Sequence, residues 1–305
     1  MPRLAGPDPQ LPVVFTAAQA RSAGLTPDQV RQRVRSGRWV ALNRGVYRRA
    51  EATIPDDLDA FAGARVDHAQ RAVAMALANA GCVIGFHSAT AVHGLPLFEA
   101  LPERVALVAP EDGWNGQRPG VVIHRTELAD DDVVHLRVPV TSIARTWFDI
   151  ARHHSLADSL ALGDAALRRG DVSRNDLLRV MAHSVARRGT RRARVAAGHL
   201  DAARESVLES ASWAYFVEHG LPLPRLQVEL RTDGGRFVAR VDVLWDQARL
   251  VGECDGRLKY AVADDLYREK RREDEIRSLG YGVIRWGMAD LRDPALAARI
   301  RRLLT

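Results

Sequence analysis

Arg236-Phe-Val-Ala-Arg-Val-Asp-Val-Leu-Trp-Asp-Gln-Ala-Arg-Leu-Val-Gly-Glu-Cys-Asp-Gly256 decides the fold of the C-terminal third of this 305-residue chain. Two apolar runs, Arg236–Trp245 and Arg249–Asp255, are rich in valine and leucine and read as strands. With Gln247 and Ala248 as a two-residue loop, the pairing places Asp242 opposite Glu253. Asp255 then lies on the same face, two residues on. Like charges directly opposed across a ladder are destabilising, so three carboxylates on one face need a reason. A divalent cation gives one, because Mg²⁺ takes one or two carboxylates and leaves positions for water and phosphate. The alternative is an exposed acidic strand face balanced by nearby arginines.

Working outward, Glu205–His219 reads as a helix stopped at Gly220-Leu-Pro, and Arg225–Arg231 as a strand before an Asp233-Gly-Gly turn. Ala263–Leu279 is expected as a helix closed by Gly280, Tyr281–Trp286 as a strand, and Leu291–Leu304 as a last helix. Leu266, Glu269, Glu273 and Ile276 share one stripe of the Ala263–Leu279 helix. Glutamates facing a sheet are costly unless paired, so this helix is expected to bring polar groups to the site. Of the 44 basic residues 42 are arginine, and the two lysines, Lys259 and Lys270, both fall here.

Arg240-Val-Asp-Val-Leu-Trp245, Leu250-Val-Gly-Glu-Cys-Asp-Gly256, Tyr267-Arg-Glu-Lys-Arg-Arg-Glu-Asp274 and Leu279-Gly-Tyr-Gly-Val-Ile-Arg-Trp286 together resemble the DUF559 group. That group belongs to the PD-(D/E)XK restriction-endonuclease-like superfamily and is related to very-short-patch mismatch nucleases. The resemblance covers roughly residues 200–300 and implies an endonuclease dependent on Mg²⁺ (or Mn²⁺). It makes Asp242 the motif aspartate, Glu253 the acid of the following strand, and Glu209 the helical glutamate completing the metal shell, with Glu205 the weaker candidate. Asp255 stands where the general superfamily pattern has lysine. The positive group that phosphodiester hydrolysis needs must then come from elsewhere. Lys270 is favoured over Lys259 for that part, and the implied catalytic set is Asp242, Glu253, Asp255, Glu209 and Lys270.

At the other end, Thr16 is a candidate N-cap with Gly24 as stop, and Thr26-Pro27 starts a second helix running to Ser36-Gly37. Trp39–Tyr47 reads as two short strands around Asn43-Arg-Gly45. Helix, turn, helix, hairpin is the order of a winged helix-turn-helix. Arg31 and Arg35 share a face that Arg33 does not, and with Arg38 and Arg44 they are the candidate DNA contacts. Phe15-Thr-Ala-Ala-Gln-Ala through Arg44-Gly-Val-Tyr47 resembles the N-terminal winged helix of AbiEi-type (type IV) antitoxin-like proteins. Phe86-His-Ser-Ala-Thr-Ala-Val-His-Gly-Leu95 resembles the segment that follows. The resemblance implies an autoregulating DNA-binding protein with a cognate toxin as a partner.

Charge is modular: residues 1–50 carry +7, 51–150 carry −7, 151–200 carry +6, and the remainder is neutral. Concentrated basic blocks suit a polyanion such as DNA, although the run Arg187, Arg188, Arg191, Arg192, Arg194 also reads as a solvated linker. Residues 57–200 are read as scaffold, with helices at Asp57–Ala80, Ser88–His93, Thr141–His153, Leu156–Arg168 and Asn175–His183 and strands at Arg104–Ala109 and Val121–Arg125. Ala72–Phe98 lacks charged residues but is interrupted by Asn79, Gly81, His87, His93 and Pro96, which suits buried helices of a water-soluble core rather than a membrane span. Its histidines lack metal-ligand spacing. Two cysteines and no signal-peptide pattern point to the cytoplasm. The expected whole is α/β locally and α+β overall: a winged helix-turn-helix over 1–55, a mostly helical connector over 56–200, and a restriction-endonuclease-like α/β domain over 201–305.

Overall fold

Thr16 and Thr26 open two helices by the same device. Each threonine hydroxyl accepts the amide three residues on, and the glutamine at that position accepts the threonine amide. In the computed structural model, which describes residues 10–50, 60–110, 113–183, 187–255 and 263–305, the chain starts with β1 (Val14–Thr16), α1 (Ala17–Ser22) and α2 (Pro27–Arg35). It continues with β2 (Trp39–Asn43) and β3 (Val46–Arg49). The sheet order β1-β3-β2 and the two helices form the expected winged helix. The three-residue β1 was not expected, because so short a run carries no periodicity. Phe15 packs edge-on against Trp39 with ring centroids 4.6 Å apart, beside buried Leu11, Ala20 and Val30.

Next come α3 (Ala60–Ala78), β4 (Val83–Ile84), α4 (Phe86–Val92), β5 (Val105–Ala109), β6 (Gly116–Arg118), β7 (Val121–Arg125), β8 (Val133–His135), β9 (Pro139–Thr141) and α5 (Ile143–His153). The connector, expected as mostly helical, also holds a six-stranded mixed sheet of order β6-β7-β5-β4-β9-β8. Four of its strands have two or three residues and leave little trace in the sequence. The uncharged stretch lies within this layer as far as residue 95, with Ala72, Ala76, Ile84 and Ala89 buried in its core. Among the described residues no helix is long and apolar enough to cross a membrane. His87 and His93 hydrogen-bond the carbonyls of Arg104 and Thr141 at 2.8 and 2.7 Å. Arg145, 1% exposed, is held between Asp149 at 2.8 Å and Asp132 at 2.6 Å.

The remaining elements are α6 (Leu156–Arg169), α7 (Arg174–Ala182), α8 (Thr190–His199), α9 (Val207–Glu218), β10 (Arg225–Arg231), β11 (Phe237–Trp245), β12 (Leu250–Cys254), α10 (Ala263–Ser278), β13 (Gly282–Trp286) and α11 (Ala295–Leu304). Here α8 takes up most of the arginine run that also read as a linker. The last sheet has the order β10-β11-β12-β13, antiparallel except for β12 and β13. A parallel neighbour needs a crossover, and α10 supplies it. Asp164 of α6 and Arg204 form an ion pair at 2.6 Å, both side chains 0% exposed, with Ser210 donating to the same carboxylate.

The described residues divide into two compact units. One comprises residues within 1–95, 99–150 and 176–183; the other comprises those within 96–98, 151–175 and 184–305. The winged helix and the six-stranded sheet thus share a unit, while α6 and α8 go with the C-terminal sheet.

Candidate active site

The site begins with a turn. Trp245 pairs with Leu250, Leu244 with Val251 and Val243 with Gly252, the register expected from the loop at 247–248. Arg249 closes the turn by donating its amide to the Asp246 carbonyl at 3.1 Å, in a left-handed conformation (φ 47°). One step beyond the last of these pairs brings Asp242 opposite Glu253. Glu253 in turn is registered with Arg285 on β13. On the other side, Leu226 pairs with Val243 and Val228 with Val241, which sets Gln227 at the Asp242 position of β10. A transverse row, Gln227, Asp242, Glu253, Arg285, therefore crosses all four strands.

Gly252 allows this sheet to close. A Cβ there would lie 2.4 Å from Trp286 and 2.5 Å from Val243. Trp286 donates its indole N–H to Ser212 Oγ at 2.6 Å, and Ser212 lies 3.5 Å from Cys254 Sγ. The Cys254 amide donates to Asp242 Oδ2 at 2.8 Å. One backbone bond thus fixes the aspartate while a chain of side chains fixes the strand that carries it. Burial pushes the Cys254 thiol pKa well up.

Asp242 is half-buried, and its pKa is raised to about 6. Burial is the main cause; Glu209 and Glu253 raise it further, while the Cys254 amide and Arg272 oppose the rise. Glu253 is 6% exposed. Arg272 of α10 approaches its Oε1 at 2.9 Å and Arg285 its Oε2 at 3.1 Å. The Arg285 guanidinium also reaches Glu273 at 3.0 Å, and Glu273 takes Arg277 at 2.6 Å. Of the stripe expected on α10, Glu273 meets the sheet through Arg285 and Ile276 is buried, while Arg272 is an addition to it. The side chains of Leu266 and Glu269 lie outside the described residues.

Glu209, 7% exposed, sits in the first turn of α9. Its carboxylate accepts from the Ser206 hydroxyl at 2.7 Å, the Glu205 amide at 3.0 Å and the Gln227 amide at 2.8 Å. Ser206 also caps the Glu209 amide, so this glutamate completes a capping arrangement as well as lending charge to Asp242. Glu205 itself pairs with Arg240 at 2.8 Å. Asp255 is half-buried just past β12, its amide on the Trp286 carbonyl at 2.9 Å. Lys270 is exposed on α10, and the structure brings Arg272 rather than Lys270 to Glu253. Lys259 lies outside the described residues.

Sequence reasoning missed Arg272, Arg285 and Gln227. Arg272 is one of four basic residues in a five-residue run, and nothing in that run marks it. Arg285 was readable from strand register once β12 and β13 were known to be parallel. Gln227 has φ 51°, a conformation its residue type does not announce.

Whether a divalent cation fits can be judged from two observations. Glu253 Oε1 is buried and has no hydrogen-bond partner, because the Arg272 contact is an ion pair without hydrogen-bond geometry. Its neighbour Asp242 holds protons too tightly for an ordinary aspartate. Among the described residues no three His, Cys, Asp or Glu side chains are grouped tightly enough to form a metal cage. Two facing carboxylates still suit a cation that fills its other positions with water and phosphate.

In the first unit, Arg31, Arg35, Arg38 and Arg44 are exposed, the first pairing with Asp28 and the last at the tip between β2 and β3. Arg33 is 2% exposed, with its guanidinium over the Trp39 ring, 5.5 Å from the centroid. Helical spacing separates it from the other two, and the fold uses it as packing.

Residues 10–50 match the family described as "Transcriptional regulator, AbiEi antitoxin". The uncharacterized proteins MT2308 and Rv2248 of Mycobacterium tuberculosis (strains CDC 1551 / Oshkosh and ATCC 25618 / H37Rv) are each 31% identical over 286 residues. The match covers 92% of this chain and 97% of theirs. The crystal structure of RV2827C protein from M. tuberculosis superposes with a TM-score of 0.40 at 16% identity, over 72% of this chain and 84% of that one.

Proposed function

We propose that this chain, which belongs to the family of the M. tuberculosis proteins MT2308 and Rv2248, binds DNA through its winged helix and hydrolyses phosphodiester bonds with its C-terminal unit. The observation that carries the nuclease half is the β11–β12 register, whose continuation past Val243 and Gly252 brings Asp242 to Glu253, with the Cys254 amide on the Asp242 carboxylate. It supports the motif assignment suggested by the resemblance to the PD-(D/E)XK superfamily. Asp242 and Glu253 would hold Mg²⁺ or Mn²⁺, with Glu209 and Asp255 alongside. The cation would supply charge neutralisation at the phosphate and an acidified water. The chain's own part is to keep the acids fixed and largely buried, where electrostatic interactions are stronger than in bulk water. Arg31, Arg35, Arg38 and Arg44 would meet phosphates and base edges. Incubating labelled DNA with the full chain and Mg²⁺ or Mn²⁺, against EDTA and against D242A, tests this. Cleavage that needs the metal and vanishes in D242A is the expected result, and cleavage surviving in D242A refutes the assignment. RNA in a parallel reaction separates the two substrates.

A second reading, a type IV antitoxin-like regulator with an inactive nuclease fold and a cognate toxin, is favoured by the match over residues 10–50. The arginines already neutralising Glu253 support it too. It predicts sequence-specific, salt-dependent binding to its own promoter, no metal-dependent cleavage, and an adjacent toxin gene.

A further inference from the structure

Phosphodiester hydrolysis develops negative charge that fixed cations must meet, and a metal between two carboxylates meets only part of it. Asp255 occupies the position where the superfamily pattern offers lysine, and Lys270 is exposed. Among the described residues, the cationic side chains that reach Glu253 are Arg272 and Arg285. They are held differently. Arg285 is gripped at both ends, its Nε on Glu253 and its Nη2 on Glu273, and Glu273 is itself tied to Arg277. Its side chain is 28% exposed. Arg272 is 36% exposed and meets Glu253 Oε1 at 2.9 Å without hydrogen-bond geometry. It carries charge to the acid pair from the α10 helix, while Arg285 is part of the sheet's own frame.

We propose that Arg272 is an exchangeable counter-ion: it neutralises Glu253 while no divalent cation is bound, and turns to the scissile phosphate when one is. This rests on the nuclease reading above. Arg272 would then be a catalytic residue doing with a guanidinium what the pattern's lysine does elsewhere. A planar fork suits two phosphate oxygens at once, which an ammonium does not.

An exchangeable counter-ion competes with the metal for Glu253 yet helps the reaction, so its removal should move binding and turnover in opposite directions. A purely structural arginine would lower both. The experiment titrates Mn²⁺ into the full chain by calorimetry and measures DNA cleavage at saturating Mn²⁺, for the wild type, R272Q and R272K. R272Q is expected to bind Mn²⁺ about tenfold more tightly and to cleave about a hundredfold more slowly. R272K should fall between R272Q and the wild type in both, and it decides the matter if R272Q does not fold. Unchanged or weaker Mn²⁺ binding in the variants, with a wild type that binds the metal and cleaves, overturns the exchange and leaves the nuclease reading standing. Wild-type cleavage rates in the variants overturn the phosphate contact. A wild type that neither binds Mn²⁺ nor cleaves DNA removes the nuclease reading, and this inference with it.

Discussion

Two arginine–carboxylate groups in the second unit are built for opposite ends. Asp164 and Arg204 are sealed, each 0% exposed, and the carboxylate is completed by Ser210 and the Asp201 amide. Glu253 is buried too, while its partners, Arg272 and Arg285, stay partly open to solvent. The sealed pair joins α6 to the start of α9 and has no route to exchange its partner. The open group has an acid inside and cations that can be replaced from outside. Burial of both partners makes a clamp, and burial of the acid alone makes a site.

Removing one member of each group sharpens the contrast most. R204A leaves Asp164 charged and uncompensated in a dry environment and should cost about 3–5 kcal/mol by denaturant unfolding. R272Q, at a partly exposed position and leaving Arg285 in place, should cost about 1 kcal/mol or less. Equal costs would erase the distinction. Asp242 gives the next largest effect. Its pKa, raised from the ordinary 3.8 to about 6, means the folded protein holds that proton more tightly than the unfolded chain does. Stability therefore falls as pH rises from about 4 to about 6 and stays lower above that. D242N removes the penalty and, in EDTA at pH 7, should be about 3 kcal/mol more stable than the wild type while no longer cleaving. Below pH 4 the difference should vanish.

G252A drives a methyl into Trp286 and Val243 and should cost about 1–3 kcal/mol, read as a drop in Tm. The smallest effects belong to the winged helix. Alanine at Arg31, Arg35, Arg38 or Arg44 should each reduce the slope of log K against log salt by about 0.9 for every DNA phosphate that the arginine neutralises. R33A should act on stability instead, through its place over Trp39.

What the sequence made legible follows from how each feature is encoded. The winged helix and the hairpin at 246–249 are written in local chemistry: two threonine caps, a proline at a helix start, a two-residue loop. Their boundaries and register match what those signals predicted. The six-stranded sheet is not locally encoded. Strands as short as Val83–Ile84 and Pro139–Thr141 exist because neighbours distant in sequence pair with them. The acid pair was readable because register is arithmetic. Arg272 was not, since Arg271, Arg272 and Lys270 are chemically alike, and only the angular position of α10 on the sheet chooses among them.

Cys254 has a consequence of its own. Its amide is bound to Asp242, its sulfur rests near Ser212, and burial keeps it as an unreactive thiol. Alkylating reagents attack thiolates, so the raised pKa slows modification of this half-buried residue, and any opening of β12 speeds it. With Cys82 replaced by serine, the chain would hold a single thiol, next in sequence to one acid and hydrogen-bonded through its amide to the other. The rate at which it reacts would report on access to the candidate active site, with no substrate or metal in the tube.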